Sequence, residues 1–131
     1  MNRNDCASLI EAGNSYLETA RNGHRRGSVF TGTMIYHVVC LSIEKYLMGI
    51  FCCYNAIPQH NTLSRMAQEA ADFADLPSDL LQAIEAMDGV LNLCDPATPL
   101  QATLTGKQLQ AMIQVGEQLR DLASAHLPCA A

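Results

Sequence analysis

Charge is scarce in this chain, positive charge above all: only 16% of its 131 residues are charged, eight Lys and Arg against thirteen Asp and Glu. The formal charge of −5 argues against broad attraction to duplex phosphates, because that binding comes from many cations displacing counterions. A nucleic-acid role would need a local basic patch, and extended nucleic acid is not an expected partner. Low-complexity sequence is absent and 49% of the residues are hydrophobic, a globular composition rather than a disordered one. The opening Met1-Asn2-Arg3-Asn4-Asp5 lacks the basic and then apolar regions of a secretory signal, so a cytoplasmic location is expected. None of the six cysteines forms a Cys-x-x-Cys pair, and adjacent Cys52 and Cys53 point to different sides of a helix. Neither a zinc knuckle nor a thioredoxin-like site follows, and the cysteines are expected to be reduced and packed as small hydrophobes. No segment alternates like a strand and no internal repeat occurs.

What is present is helical periodicity in a chain the size of one domain, residues 1–131. A first helix is expected from Asn4 or Asp5 to Asn22, with Leu9, Gly13, Tyr16, Leu17 and Ala20 on one stripe and Gly23 and Gly27 bracketing a basic turn. A second starts between Ser28 and Thr33 and continues through Tyr54 to the stop at Asn55 and Pro58. It is apolar on more than one face, and at 1.5 Å per residue its length of roughly 35–40 Å makes it the longest element expected. His37, Glu44 and Lys45 interrupt this apolar stretch, which argues for a buried central helix and against a membrane span. The third helix follows a cap at Asn61 or Thr62, with Leu63, Met66, Ala67, Ala70 and Ala74 on its apolar side. A fourth presents Leu80, Ile84, Met87 and Leu91, and two prolines break the chain at 94–99. Thr105-Gly106-Lys107-Gln108 fits a capping box and opens a last helix, whose apolar face is Leu109, Met112, Ile113, Gly116, Leu119 and Ala123. The expected fold is all-α, an antiparallel bundle of about five helices.

Ile43-Glu44-Lys45-Tyr46-Leu47 resembles the Ile/Val-Glu-Lys-x-Leu signature in the long helix of HEPN domains, and Ala56-Ile57-Pro58-Gln59-His60-Asn61-Thr62-Leu63 resembles that family's proline-containing turn. The resemblance implies a HEPN-like bundle, a homodimer, and a nucleotidyltransferase or an antitoxin as protein partner. It departs at Met48, where the family has a second lysine, at His60, one place early, and at Cys94-Asp95-Pro96, where the family's arginine is gone. The family's ribonucleases carry Arg-x(4–6)-His near the end of helix four, but Met87 to Cys94 here contains neither residue. Arg120 and His126 have that separation on the last helix, where six residues place them about 120° apart. The expected function is a non-catalytic HEPN-like binding and dimerisation module, and the alternative is a divergent ribonuclease of a toxin–antitoxin system acting through Arg120 and His126.

Two further constellations stand out. His37, Cys40 and Glu44 share one face of helix two, a spacing compatible with a metal or with a packed thiol between hydrogen-bonded neighbours. No second cluster completes a bundle metal site, so no metal and no cofactor are expected. Arg21, His24, Arg25 and Arg26 place three of the eight Lys and Arg just before helix two. With Ser28, and with Lys45 reaching across the bundle, they suggest a site for a small phosphorylated ligand or nucleotide, beside the reading of a solvated helix end.

Overall fold

A computed structural model describes residues 3–26, 32–92 and 105–126. They form five helices: α1 Arg3–Arg26, α2 Gly32–Cys53, α3 Leu63–Ala70, α4 Ser78–Asn92 and α5 Gly106–His126. The all-α bundle is thus observed, with no strand among the described residues. Helix α1 runs four residues past the expected stop at Asn22, because Gly23 is buried on the helix face that begins with Cys6, Ile10, Gly13, Leu17 and Ala20. Among the described residues it spans 24 positions and α2 spans 22. Helix α3 ends four residues short of Ala74; the chain leaves it in turns that seat Phe73 against Phe51, ring centroids 5.3 Å apart.

Helix α2 lies at the centre, against α1, α3 and α5. By length and composition it is apolar enough to cross a membrane, yet most of that apolar window is buried inside the bundle. Its interface with α1 is the most extensive among the described helices, and two small residues set the approach. A Cβ on Gly13 would stand 2.7 Å from the Tyr46 ring, and one on Gly49 would stand 2.8 Å from Ile10. Buried polar groups at this interface are satisfied: Ser42 Oγ donates to the Gly13 carbonyl at 2.8 Å and Tyr46 Oη to Asn14 Oδ1 at 2.6 Å. Burial pushes the Tyr46 phenol above its ordinary pKa. Tyr36 Oη donates to the Met87 carbonyl at 2.9 Å and ties α2 to α4. The apolar residues expected of α5, Leu109, Met112, Ile113, Leu119 and Ala123, are all buried.

Helix ends are fixed by local chemistry. The expected capping box is present: Gln108 N–H donates to Thr105 Oγ1 at 3.1 Å and Thr105 N–H to Gln108 Oε1 at 2.8 Å. Thr62 is the N-cap of α3 without a side-chain cap bond, and Asp88 of α4 supplies the acceptor instead, taking the Ser64 N–H at 2.7 Å. The C-terminus of α2 closes as a Schellman motif, with Asn55 at φ 53° and the Ala56 N–H donating to the Phe51 carbonyl at 2.8 Å.

The cysteines correct the sequence reading. Cys6 and Cys52, 46 residues apart, are joined in a disulfide with Cα atoms 5.4 Å apart, and Cys53 is buried in the same small cluster. The antiparallel register that places Gly49 on Ile10 carries the last turn of α2 onto the first turns of α1, and two sulfurs meet there.

Candidate anion-binding groove

Helix α5 packs antiparallel to α1: Gly106 approaches His24, Glu117 approaches Arg21, and Gly116 lies so close to Leu17 that a Cβ would stand 2.9 Å away. This register opens two adjoining cavities between the helices. One, about 240 Å³, is lined by Arg21, His24, Arg25, Gln110, Ile113 and Glu117. The other, about 200 Å³, is lined by Asn14, Leu17, Glu18, Arg21, Arg120 and Ser124. Arg21 belongs to both. Arg25 lines the first and Arg120 the second, and each cavity also carries a glutamate, Glu117 in the first and Glu18 in the second.

The arginines are partly neutralised. Arg21 Nη1 lies 3.8 Å from Glu117 Oε2 and 4.0 Å from Glu18 Oε2, longer than the roughly 2.7–2.9 Å of a charge-assisted hydrogen bond. Arg120 Nε donates to Asp121 Oδ1 at 3.2 Å. These are ion pairs at half-exposed positions, held loosely and open to exchange. Ile113 gives the first cavity an apolar floor, and the Gln110 amide adds a neutral donor.

The structure gathers some of the expected ligand-binding residues and separates others. Arg21 and Arg25 meet in the groove, Arg26 is the last residue of α1, and Ser28 lies outside the described residues. Lys45 is not brought to them. The Ser42–Gly13 hydrogen bond places Lys45 near the level of residue 10 on α1, which is about 20 Å along the axis from Arg25 at 1.5 Å per residue. The residues that sequence reasoning missed here are on α5: Gln110 and Glu117 carry no motif, and only the α1/α5 register assigns them.

Arg120 and His126 face different neighbours. Arg120 lines the groove beside Asn14 and Ser124, whereas His126 Nδ1 lies 2.9 Å from Tyr54 Oη at the end of α2. The described part of residues 87–95 carries no Arg or His.

His37, Cys40 and Glu44 do line one cavity of about 330 Å³, with Asn61 and Asp88 across from them. Among the described residues, however, no group of three or more His, Cys, Asp or Glu is arranged to hold a metal ion. A last polar cluster was not foreseen: Glu69 accepts the Gln59 N–H at 3.0 Å and pairs with His60 Nδ1. The Gln59 backbone donor, and after it His60, holds the Glu69 carboxyl below its ordinary pKa of 4.5. His60, read in the sequence as a displaced turn residue, thus clasps the α2–α3 connection to α3.

Comparison of the chain with family models, with curated proteins and with solved structures finds no match.

Proposed function

We propose that this chain is a non-catalytic, HEPN-like helical module that binds a small phosphorylated ligand, a nucleotide or a molecule like it, in the α1/α5 groove. The observation that carries the reading is that Arg21 lines both cavities of the α1/α5 groove, beside Arg25 in one and Arg120 in the other. Guanidinium forks complement tetrahedral oxyanions, and a net charge of −5 disfavours long polyanions but not a small ligand. The ligand binds at the surface between two helices that are held by other contacts, so no lid or catalytic step is required.

The module acts as a homodimer, with a nucleotidyltransferase or an antitoxin as the protein partner that the family resemblance implies. Support for self-association is the outward face of α2, where Met34 and Leu41 are 46% and 39% exposed in a helix otherwise rich in buried residues. Light scattering at tens of micromolar is expected to give about twice the 14.2 kDa of one chain, and a value of one chain would remove the dimer from the proposal.

The groove is tested by thermal denaturation. Millimolar ATP should raise the melting temperature of the wild-type protein, and Arg21→Ala with Arg25→Ala should abolish the shift while the unliganded protein keeps its helical circular dichroism. No shift with any nucleotide would leave the arginines as a solvated helix end.

A further inference from the structure

The arginine at the centre of the groove already has an anion beside it, and that anion is part of the protein. Arg21 Nη1 faces Glu117 across the α1/α5 interface at 3.8 Å, and the two side chains are 35% and 30% exposed. Glu18, one turn back on α1, stands 4.0 Å from the same nitrogen but is 62% exposed. Glu117 therefore acts as a tethered competitor for Arg21, and Glu18 is the weaker, more solvated one.

Resting on the reading above, we infer that Glu117 sets the charge the ligand must carry: the groove takes a phosphate monoester or a terminal polyphosphate, at least doubly charged, and discriminates against singly charged diesters and carboxylates. The reasoning is a balance of charges. Arg21 and Arg25 bring two positive charges to the first cavity, and Glu117 with Glu18 brings two negative ones to Arg21. A monoanion entering this neutral set exchanges one carboxylate for another single charge and gains little. A phosphate monoester carries about −1.5 to −2 at pH 7 and three acceptor oxygens. It has charge enough to displace Glu117 toward solvent and acceptors enough for Arg21, Arg25 and the Gln110 amide together. The selectivity is built by repulsion as much as by attraction.

The same nucleoside in two charge states isolates this effect. AMP is a monoester and 3′,5′-cyclic AMP a diester, so titration calorimetry with each, on the wild type, Glu117→Gln and Glu18→Gln, separates charge from base recognition. The wild type should bind AMP at least tenfold more tightly than cyclic AMP. Glu117→Gln should tighten both ligands and cyclic AMP the more, so that the ratio shrinks severalfold; Glu18→Gln should change the ratio little. Equal affinities in the wild type, or an unchanged ratio in Glu117→Gln with AMP still bound, would overturn the role of Glu117 and leave the groove as the binding site. Absence of binding of AMP and of inorganic pyrophosphate to every form at millimolar concentration would overturn the site and with it this inference. Melting curves of the unliganded variants confirm that each is folded.

Discussion

The two ends of the α1–α2–α5 layer are built on opposite principles. At one end the first turns of α1 meet the last turn of α2, the Cys6–Cys52 disulfide crosslinks them, and Cys53 is buried beside it. There Phe51, Phe73 and Tyr54 stack edge to face or tilted, and Tyr54 reaches His126 at the end of α5. At the other end the last turns of α1 and the first turns of α5 leave a polar cavity whose arginines are only loosely paired. One end spends apolar area and a covalent bond on rigidity, and the other leaves charge exposed where a ligand can use it. The difference teaches where function belongs in so small a bundle: away from the staple, on a surface whose rearrangement costs side-chain rotamers and no core.

The sharpest way to break this comparison is to remove the staple. Closing a 46-residue separation removes unfolded-state entropy equivalent to about 4 kcal/mol, and natural disulfides commonly deliver ~2–4 kcal/mol. Cys6→Ala with Cys52→Ala, or treatment with a dithiol, should lower stability by that amount in urea unfolding and the melting temperature by on the order of 10 °C. Arg21→Ala at the open end should change stability by less than about 1 kcal/mol. Alkylation before and after reduction, read by mass spectrometry, should show two additional reactive thiols after reduction; if all cysteines react without it, the crosslinked end is held by packing alone.

A smaller effect sharpens the same contrast with one substitution made at each end. An alanine Cβ at Gly49 would meet Ile10 at 2.8 Å, where the neighbour is an inner side-chain carbon in a packed core. At Gly106 the nearest atom is His24 Cε1 at 3.9 Å, an ordinary contact. Gly49→Ala should therefore cost about 1–3 kcal/mol through overpacking, and Gly106→Ala should be neutral or stabilising by up to about 1 kcal/mol through the unfolded state. Equal losses at both sites, measured by urea unfolding, would mean that the open end is packed as tightly as the pinned one.

Much of the fold was legible because its cues are local. The α5 start was readable from Thr105 and Gln108, since a capping box satisfies its donors within four residues, and the buried face of α5 from helical spacing alone. What was not legible depends on register between helices. Six cysteines allow many pairings, and nothing local distinguishes Cys6 with Cys52 from the rest until α1 and α2 are aligned. The extension of α1 past Gly23 was hidden for the same reason, because glycine reads as a stop until its burial is known. The groove was half legible: Arg21 and Arg25 announced themselves by clustering, but Glu117 and Gln110 are ordinary polar residues between the apolar positions of α5. Arg120, whose spacing to His126 is visible in the sequence, lines the second cavity of the groove, which only the α1/α5 register shows.

From the pinned end the α2–α3 connection leads away, held by a clasp that pH can open, and it tests how far the stiffness of that end extends. Glu69 accepts the Gln59 N–H and pairs with His60, which together hold its carboxyl below the ordinary value of 4.5. A carboxyl whose folded pKa is depressed contributes stability that is fully present above its unfolded pKa and is lost as the pH falls through the folded one. The contribution should thus be intact at pH 7 and fade below about pH 4.5 as Glu69 is protonated. The expected signature is a small difference in melting temperature between wild type and Glu69→Gln at pH 6–7 that narrows toward pH 3. The disulfide contribution, by contrast, should persist across the same range, since no proton enters or leaves the bond. Curves for wild type and Glu69→Gln that run parallel from pH 7 to pH 3 would mean that the clasp carries no stability, and that the connection is positioned by Leu63, Met66 and the Asp88–Ser64 bond alone.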